Sequence, residues 1–565
     1  MICRNLAASR PQHADSVSEC APRLRYRRSA RSRIRAYGGL GQGADSRDGQ
    51  IEFLIRHRDP LPRTFHMMTL IHGGRVLLPG TCATEALDIV VDGESIADLV
   101  VPGSVPGEGM RRLDASDRLV IPGLVNGHHH AQAQLAKGLF DRTTLELLLI
   151  AHPWANGARV LEDKYLSAVI GAAELVRKGC TAAYDMFAEF PLPTVEGVEA
   201  VARAYSDVGM RATIAPMMAD RSFYEAIPGL LDFLPTSLRE QALAIRNAPS
   251  DASLAACRKV IGGWRFPRDR IQPALGPTIP HHCTDAFLTG CRDLAAEFGL
   301  GVQMHVAESR TQAVVATQRY EKTLVGHLHA LGVLGPRFCA AHAVWLDDGD
   351  RGRLADTGAS VSHNPGSNLK LGSGVADLRR MLDRGVNVAI GTDGSSCSDN
   401  LNVFEAMRLA SYLSRVQDHP VERWITAPEA LRAATEGGAR ALGFRNIGRI
   451  EKGYLADLVL IDLGALHYVP ANNVVAQLVF GEDGTGVDSV MVGGRVVLDR
   501  GRLVNVDLTR VRAQAEEAIA RLAAATSQAR AAAEALAPYV SQFCSGLAAA
   551  PLSIHRFCGH APAPA

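Results

Sequence analysis

The sequence contains LVIPGLVNGHHH at residues 119–130, an apolar run that ends in three consecutive histidines. Seven further apolar runs follow, and helical-type sequence comes after each of the eight: CTAAYDM (180–186), RATIAPMM (211–218), IQPALGPTIP (271–280), GVQMHVAE (301–308), RFCAAHAVWL (337–346), ASVSHNP (359–365) and VNVAIGTDG (386–394). Short apolar runs that alternate with helices are typical of buried parallel strands. Eight such units in succession predict an α/β fold, a (β/α)8 barrel of the TIM type.

Short β-type runs separated by glycine and proline turns flank this region at 71–80 and 87–100 before it, and at 456–464 and 488–504 after it. They predict one small composite β-sandwich domain formed from both ends of the chain. The expected boundaries are a disordered arginine-rich extension (1–66), an N-terminal β-sandwich segment (67–120), the (β/α)8 barrel (121–445), a C-terminal β-sandwich segment (446–505), a helical segment (506–550) and a disordered tail (551–565).

The charge balance excludes two classes of partner. The 565 residues hold 60 basic and 59 acidic side chains, a formal net charge of +1. Residues 1–66 alone carry thirteen arginines against six acids, so the rest of the chain sums to −6. Such a chain has no electrostatic footprint for nucleic acid or a membrane surface. Eleven scattered cysteines without a Cys-x-x-Cys pair indicate reduced thiols and a cytoplasmic location.

Polar residues that can bind a metal end several of the apolar runs, and catalytic groups of such barrels lie where strands end. His128 and His130 are two positions apart on one strand, so they point to the same side while His129 faces away. His305 and Asp393 end the fifth and eighth runs. Imidazole and carboxylate groups suit one divalent ion, zinc first and iron(II) as the alternative.

Three side chains are candidates for the chemistry beside such an ion. Glu308 follows His305 by three residues and is expected to carry a proton from water to the leaving group. Asp393 can both bind the ion and accept a proton from its water, whose pKa the ion lowers towards neutrality. His342, at the end of the sixth run, is placed to polarise the group under attack or to stabilise the developing charge.

These residues resemble the amidohydrolase superfamily, in particular its triazine-hydrolase/cytosine-deaminase-like branch. The matching stretches include PGLVNGHHH, GCTAAYDM, HVAES, AAHAVWL, SHNPGSNLKLGSG and GTDGSSCSDNLNVFEAMRLAS, and the resemblance covers about residues 68–505. It implies a metal-dependent hydrolase that forms homodimers or larger homo-oligomers. It assigns the metal to His128, His130, His305 and Asp393, proton transfer to Glu308, and substrate contact to His342.

The lysine content bears on the number of metal ions. Related barrels with two bridged ions need a carboxylated lysine at the end of the fourth strand. The fourth run is IQPALGPTIP, and the chain has no lysine between Lys259 and Lys322. The sequence therefore predicts a single ion per chain.

The substrate is less well specified. SHNPGSNLKLGSG is most similar to enzymes that deaminate S-adenosylhomocysteine and methylthioadenosine, which carry a Pro-x-Glu whose acid holds the ribose hydroxyls. This chain has Pro153-Trp154-Ala155 instead, and the lost charge-assisted hydrogen bond is worth roughly 1.5–3 kcal/mol. We therefore expect a smaller amino-substituted N-heterocycle, of purine, pyrimidine, pterin or triazine type, with an adenosine derivative as the alternative.

Four residues are candidate substrate contacts: Gln132, Trp154, His281 and His282. Asn368 is expected to brace the loop after the seventh strand. Two other functions remain open at this stage. The same groups could release chloride, an alkylamine or a thiolate, or cleave an amide-like bond, and an inactive scaffolding relative is the remote alternative.

Overall fold

The computed structural model describes residues 68–80 and 83–557. The predicted extension 1–66 lies outside the described residues, as do the last eight residues of the predicted tail.

Seven short strands precede the barrel. They are β1 (Thr69–His72), β2 (Arg75–Leu77), β3 (Thr84–Ala86), β4 (Asp88–Asp92), β5 (Ser95–Val100), β6 (Arg111–Asp114) and β7 (Arg118–Pro122). Four of them form a sheet in the order β5-β4-β1-β6.

Eight parallel strands form the predicted barrel. They are β8 (Leu124–His129), β9 (Cys180–Asp185), β10 (Arg211–Ile214), β12 (Ile271–Pro277), β13 (Gly301–Val306), β14 (Phe338–His342), β15 (Ser360–His363) and β16 (Asn387–Ile390), with a two-residue strand β11 (Met217–Met218) that pairs with β12. Most of their residues are buried, as expected for strands covered on both faces. The backbone N–H of Asp393 donates to the carbonyl of His128 at 2.9 Å and so links the eighth strand to the first.

The last four strands complete a sheet that the N-terminal strands begin. They are β17 (Leu458–Asp462), β18 (Val487–Val492), β19 (Arg495–Asp499) and β20 (Arg502–Leu503), and the seven-stranded sheet has the order β20-β19-β18-β17-β7-β2-β3. A buried apolar cluster joins residues of both sheets, among them Ile71, Ile89 and Leu460. The predicted fold class, a barrel with a composite β-structure from both chain ends, is confirmed.

The helices lie in the connections between these strands, except the last two, which follow the last strand. They are α1 (Leu145–Ala155), α2 (Leu161–Arg177), α3 (Val195–Val208), α4 (Phe223–Ala226), α5 (Leu230–Phe233), α6 (Thr236–Ala244), α7 (Ser250–Gly262), α8 (Asp285–Phe298), α9 (Arg310–Tyr320), α10 (Leu324–Ala330), α11 (Asp348–Thr357), α12 (Pro365–Lys370), α13 (Leu378–Asp383), α14 (Val403–Leu413), α15 (Ala427–Arg432), α16 (Gly438–Leu442), α17 (Val474–Phe480), α18 (Leu508–Ala525) and α19 (Ser527–Ala548). Glycines end α3 and α8 in the left-handed region, at Gly209 (φ 92°) and Gly299 (φ 63°), two residues before the next strand starts. A glycine reaches this conformation without steric cost, which allows the short helix-to-strand turn.

The C-terminal helix α19 packs on the barrel. Its Leu536 and Val540 share a buried cluster with Ile150 of α1 and Tyr224 of α4. Among the residues that the structure describes, no helix combines the length and the apolar character that crossing a bilayer requires.

Candidate metal and catalytic site

Two of the three histidines at the end of the first barrel strand face one point. Nε2 of His128 lies 3.5 Å and Nε2 of His130 lies 3.2 Å from the same oxygen, Oδ1 of Asp393. His129 points to the other side of the strand, where its Nε2 lies 2.6 Å from the hydroxyl of Tyr205 on α3. This is the alternation expected for residues i and i+2 of a strand.

Two more strand ends complete the cluster. Nε2 of His305 lies 3.2 Å from Nε2 of His130, and the rings of His305 and His342 stack with centroids 5.5 Å apart. Potential ligand atoms lie within 4.8 Å of one another in three groups: His128, His305 and His342; His128, His130 and Asp393; and Glu308, His342 and Asp393. The structure therefore brings all six predicted metal and catalytic residues together.

Hydrogen bonds orient three of the imidazoles in the same way. Nδ1 lies 2.9 Å from Oε1 of Gln303 in His128, 2.7 Å from the Met186 carbonyl in His130, and 2.8 Å from the Thr278 carbonyl in His305. Gln303 is itself fixed, because its Nε2 donates to the Gly127 carbonyl at 2.9 Å. Each partner is an acceptor, so each Nδ1 carries a proton and each Nε2 faces the cluster, where it can donate to Asp393 or bind an ion. Metal-binding histidines are oriented in this manner.

His342 differs from these three. Its Nδ1 lies 2.9 Å from Oδ1 of Asn368, the residue expected to brace this loop. The Nδ2 atom of Asn368 has no hydrogen-bond partner among the described residues, so the amide can present either atom to the ring. The proton of His342 is therefore not fixed on Nδ1.

Buried polar atoms face the centre of the cluster without a partner. Within the described part of the chain, Nε2 of His128, Nε2 of His342 and Oε2 of Glu308 are buried and accept or donate no hydrogen bond. Buried polar atoms are normally satisfied, and a group of unsatisfied ones calls for an ion or a ligand. Imidazole nitrogens and carboxylate oxygens are the donors that a zinc or iron(II) ion takes, so the residues fit such an ion.

Burial and neighbouring charges shift the pKa values in the cluster. Burial lowers the pKa of His305 well below its usual value and that of His342 to about 4, so both rings are neutral near pH 7. Burial, with the Asp393 and Glu146 carboxylates nearby, raises the pKa of Glu308 well above its usual value. Burial opposes ionisation of Asp393 too, yet its contacts with His128 and His130 hold its pKa well below the usual range. One carboxyl group is thus kept ionised and the other is able to hold a proton, as general acid–base catalysis requires.

The backbone is strained at the same strand ends. His342 and Asp393 adopt positive φ angles of 71° and 62°, and Ala307 beside Glu308 has 51°. Residues other than glycine adopt this conformation at a cost, and such positions are common at active sites.

The cluster lies at the base of a cavity with an inner and an outer region. The inner cavity, of about 80 Å³, is lined by His130, His305, Glu308 and Asp393 together with apolar side chains. An outer chamber of about 640 Å³ adjoins it. The two regions share the lining residues Gln132, Leu149, His152, Asn156, Met217 and Thr278.

The four predicted substrate contacts lie at different places relative to the cavity. Gln132 lines both regions of the cavity, although its Oε1 already accepts the Ala188 N–H at 3.1 Å, and His282 lines the outer chamber. His281 is buried beside His282, away from the cavity wall. The ring of Trp154 packs against Phe140, which lines the inner cavity, and under the Arg530 guanidinium of α19.

One polar pair on the wall of the outer chamber could not be predicted from the sequence. Lys164 of α2 and Glu189, after β9, both line the outer chamber and form an ion pair with each other. Their side chains are only 15% and 5% exposed. The two residues are 25 positions apart and share no periodic pattern, so only the docking of α2 on the β9 loop reveals them.

Comparisons with known proteins agree with this geometry. The sequence model of the amidohydrolase family matches residues 119–497. The chain is 35% identical over 436 residues to a 5'-deoxyadenosine deaminase of Methanothermobacter thermautotrophicus, covering 77% of this chain and 94% of that protein. It is 32% identical over 434 residues to a 5-methylthioadenosine/S-adenosylhomocysteine deaminase of Thermococcus kodakarensis, covering 76% and 94%.

Solved structures give the same result. An adenosine deaminase from Xanthomonas campestris with bound zinc superposes with a TM-score of 0.70 at 28% identity, covering 80% of this chain and 98% of that one. The atrazine chlorohydrolase of Arthrobacter aurescens in complex with zinc superposes with a TM-score of 0.72 at 26% identity, covering 80% and 100%. The resemblance stated from the sequence motifs is confirmed: this chain belongs to the amidohydrolase family.

Proposed function

We propose that this protein is a metal-dependent aminohydrolase that releases ammonia from an amino-substituted N-heterocycle, and that this heterocycle carries a large substituent, as in an adenosine derivative. One observation carries the proposal. Glu308, a buried carboxyl group with a raised pKa, lies beside the His/Asp cluster at the base of a cavity that continues into a chamber of about 640 Å³.

His128, His130, His305 and Asp393 would hold a single divalent ion, zinc or alternatively iron(II). The three Nε2 atoms fixed toward the cluster and the ionised Asp393 support this ligand set. The missing lysine in β12 supports one ion rather than two. When bound, such an ion activates a water molecule for attack at neutral pH.

The protein's own groups then manage the protons. Glu308 takes a proton from the attacking water as the oxygen bonds to the ring carbon that bears the amino group. It returns that proton to the amino nitrogen, the carbon–nitrogen bond breaks and ammonia leaves. The second proton of the water moves to the adjacent ring nitrogen, so the ring carbon keeps a carbonyl oxygen. The raised pKa of Glu308 suits both halves of this transfer. His342, 3.5 Å from Glu308, is placed to stabilise charge at the reacting centre.

Two findings favour an adenosine derivative over the free heterocycle expected from the missing Pro-x-Glu acid. The relatives named above are deaminases of such compounds. The outer chamber is far larger than a bare ring requires, and the Lys164–Glu189 pair supplies donors and acceptors on its wall. These groups can take over the contact with a polar substituent that the absent acid would have made.

The test is ammonia release by the zinc-reconstituted protein over a panel of free purines, pyrimidines, pterins, triazines and adenosine derivatives. We expect turnover of adenosine derivatives at a higher kcat/KM than of adenine. If no member of the panel released ammonia, the proposal would be overturned. The atrazine chlorohydrolase neighbour makes dechlorination a second candidate, so chloride release from a chlorotriazine belongs in the same panel.

The assembly and location belong to the same proposal. We expect a cytoplasmic homodimer or larger homo-oligomer. All seven cysteines of the described residues are unpaired and buried, as expected in a reducing compartment. Light scattering of the purified protein measures the assembly, and a monomer at micromolar concentration would contradict it.

A further inference from the structure

The last residues that the structure describes, 551–557, pack on the barrel next to the active site. They follow α19 and lie beyond the region that the family model matches, which ends at residue 497. The sequence predicts a disordered tail over 551–565, but residues 551–557 contact the barrel. Leu552 and Ile554 pack against the main core, and Phe557 meets the ring of buried Trp345 at 5.3 Å.

Arg556 makes the polar contacts of this segment. Its Nε donates to the Val344 carbonyl at 3.0 Å, and its Nη2 donates to the Leu346 carbonyl. Both carbonyls belong to the loop 343–346, which begins directly after His342. The guanidinium group thus fixes this loop through two of its carbonyl groups.

The backbone N–H groups of the same loop donate to carbonyl groups just before Glu308. The N–H of Ala343 donates to Val306 at 3.0 Å, and those of Val344 and Trp345 donate to Ala307 at 3.1 and 2.9 Å. Val306 and Ala307 are the two residues between His305 and Glu308. The loop is therefore fixed between Arg556 and the backbone that positions Glu308.

The backbone of Arg556 reaches the loop that orients His342. Its carbonyl accepts the N–H of Val375 at 2.6 Å, and a Cβ on the neighbouring Gly374 would lie 2.9 Å from that oxygen. Ser373, in the same loop, donates its N–H to the Asn368 carbonyl at 2.8 Å and accepts Nε1–H of Trp345 at 2.7 Å. Asn368 contacts His342.

We propose that Arg556 is a positioning residue for the active site: it fixes the loop 343–346 and, through this loop, the strained backbone of His342 and the backbone before Glu308. The backbone at His342 and Ala343 has positive φ angles of 71° and 49° and needs such external support. Small displacements of catalytic groups lower turnover strongly, because the reacting atoms must meet in a narrow range of geometry.

The test compares Arg556→Ala and Arg556→Lys with Arg512→Ala, a matched removal of an exposed arginine on α18. Two properties are measured: hydrogen exchange of the peptide covering residues 338–346, and kcat and KM for the best substrate. The kinetic measurement rests on the proposed function, whereas the exchange measurement does not. The exchange result therefore tests the inference even if no heterocycle is deaminated.

For Arg556→Ala we expect faster exchange confined to 338–346 and the 368–375 loop, a kcat lowered by about tenfold or more with KM within twofold, and partial recovery with added guanidinium. Arg556→Lys should lie between wild type and alanine, and Arg512→Ala should match wild type. Unchanged exchange at 338–346 would overturn the proposal. Exchange that rises equally across the whole barrel would also overturn it, since that indicates a general loss of stability.

Discussion

Nε2 of His342 lies 3.5 Å from Oε2 of Glu308, with both side chains fully buried. Among the described residues neither atom has a hydrogen-bond partner, although one proton placed between them would satisfy both. The burial that raises the pKa of Glu308 and lowers that of His342 favours a neutral pair over an ion pair. His342 therefore differs from the other three histidines of the cluster. It faces the carboxyl group that carries the proton, whereas their Nε2 atoms are fixed toward the proposed ion.

The first prediction follows from that difference. Replacing His305 with Gln removes an Nε2 lone pair from the proposed ligand set, and we expect the protein to lose most of its metal. Replacing His342 with Gln should leave the metal content near that of wild type while kcat falls by about 10²-fold, because a charge-stabilising group is lost. Elemental analysis and turnover of the two variants check this. Equal loss of metal from both would show that His342 is a ligand.

The second prediction concerns the number of ions. Because β12 and its following loop hold no lysine that could bridge two ions, the protein should contain about one equivalent of zinc or iron(II) per chain. Mass spectrometry of the native complex, or elemental analysis after removal of loosely bound metal, measures the stoichiometry. A value near two would refute the single-ion site.

The third prediction tests the outer chamber. Lys164→Met removes the cation of the buried pair and should raise KM for an adenosine derivative at least about tenfold, the cost of a lost charged hydrogen bond. The KM for adenine, which lacks the substituent, should change less than twofold. Lys137→Met is the control, since Lys137 pairs with Glu174 away from the chamber. Equal effects on both substrates would show that Lys164 does not contact the substituent.

The fourth prediction concerns the attachment of the composite sheet to the barrel. Arg211, at the start of β10, pairs with Asp457, just before β17, through two contacts of 2.8 and 3.1 Å. Both side chains are 1% exposed. Asp457→Asn should lower the free energy of unfolding by about 3–5 kcal/mol, because it leaves a buried guanidinium without its counter-charge.

Asp462→Asn is the matched control for that variant. It removes one of the two carboxylate partners of Arg118, in a pair whose side chains are 26% and 43% exposed, and its effect should be less than about 1 kcal/mol. Denaturant unfolding of both variants provides the comparison. Similar losses would mean that the buried pair has no special role.

The sequence was sufficient to predict the barrel and the cluster for a physical reason. Each barrel strand is a short apolar run, and the parallel arrangement brings all carboxyl ends to one face, so His128, His305 and Asp393 had to meet. Gln303 could have been found by the same logic, because it lies two residues before His305 and faces the same side. No comparable rule exists for Lys164 and Glu189, which meet only after α2 docks on the loop following β9.

Two other features show the same limit. Trp154 lies near the end of the apolar helix α1, and the sequence does not show that its ring packs under Arg530 of α19. Arg556 lies in a stretch without periodicity, which predicts disorder, yet carbonyl groups more than 200 residues earlier in the chain order it. Contacts between distant segments leave no local pattern in either case.

The most direct test of the proposed chemistry is ammonia release from an adenosine derivative by the zinc-loaded wild-type protein and by Glu308→Gln, with metal content measured on the same samples. We predict turnover by the wild type and a fall of about 10²-fold or more in kcat for the variant, at equal metal content, because the proton carrier is lost. A Glu308→Gln protein that retains its metal and releases ammonia at the wild-type rate would contradict the role of Glu308 as the proton carrier.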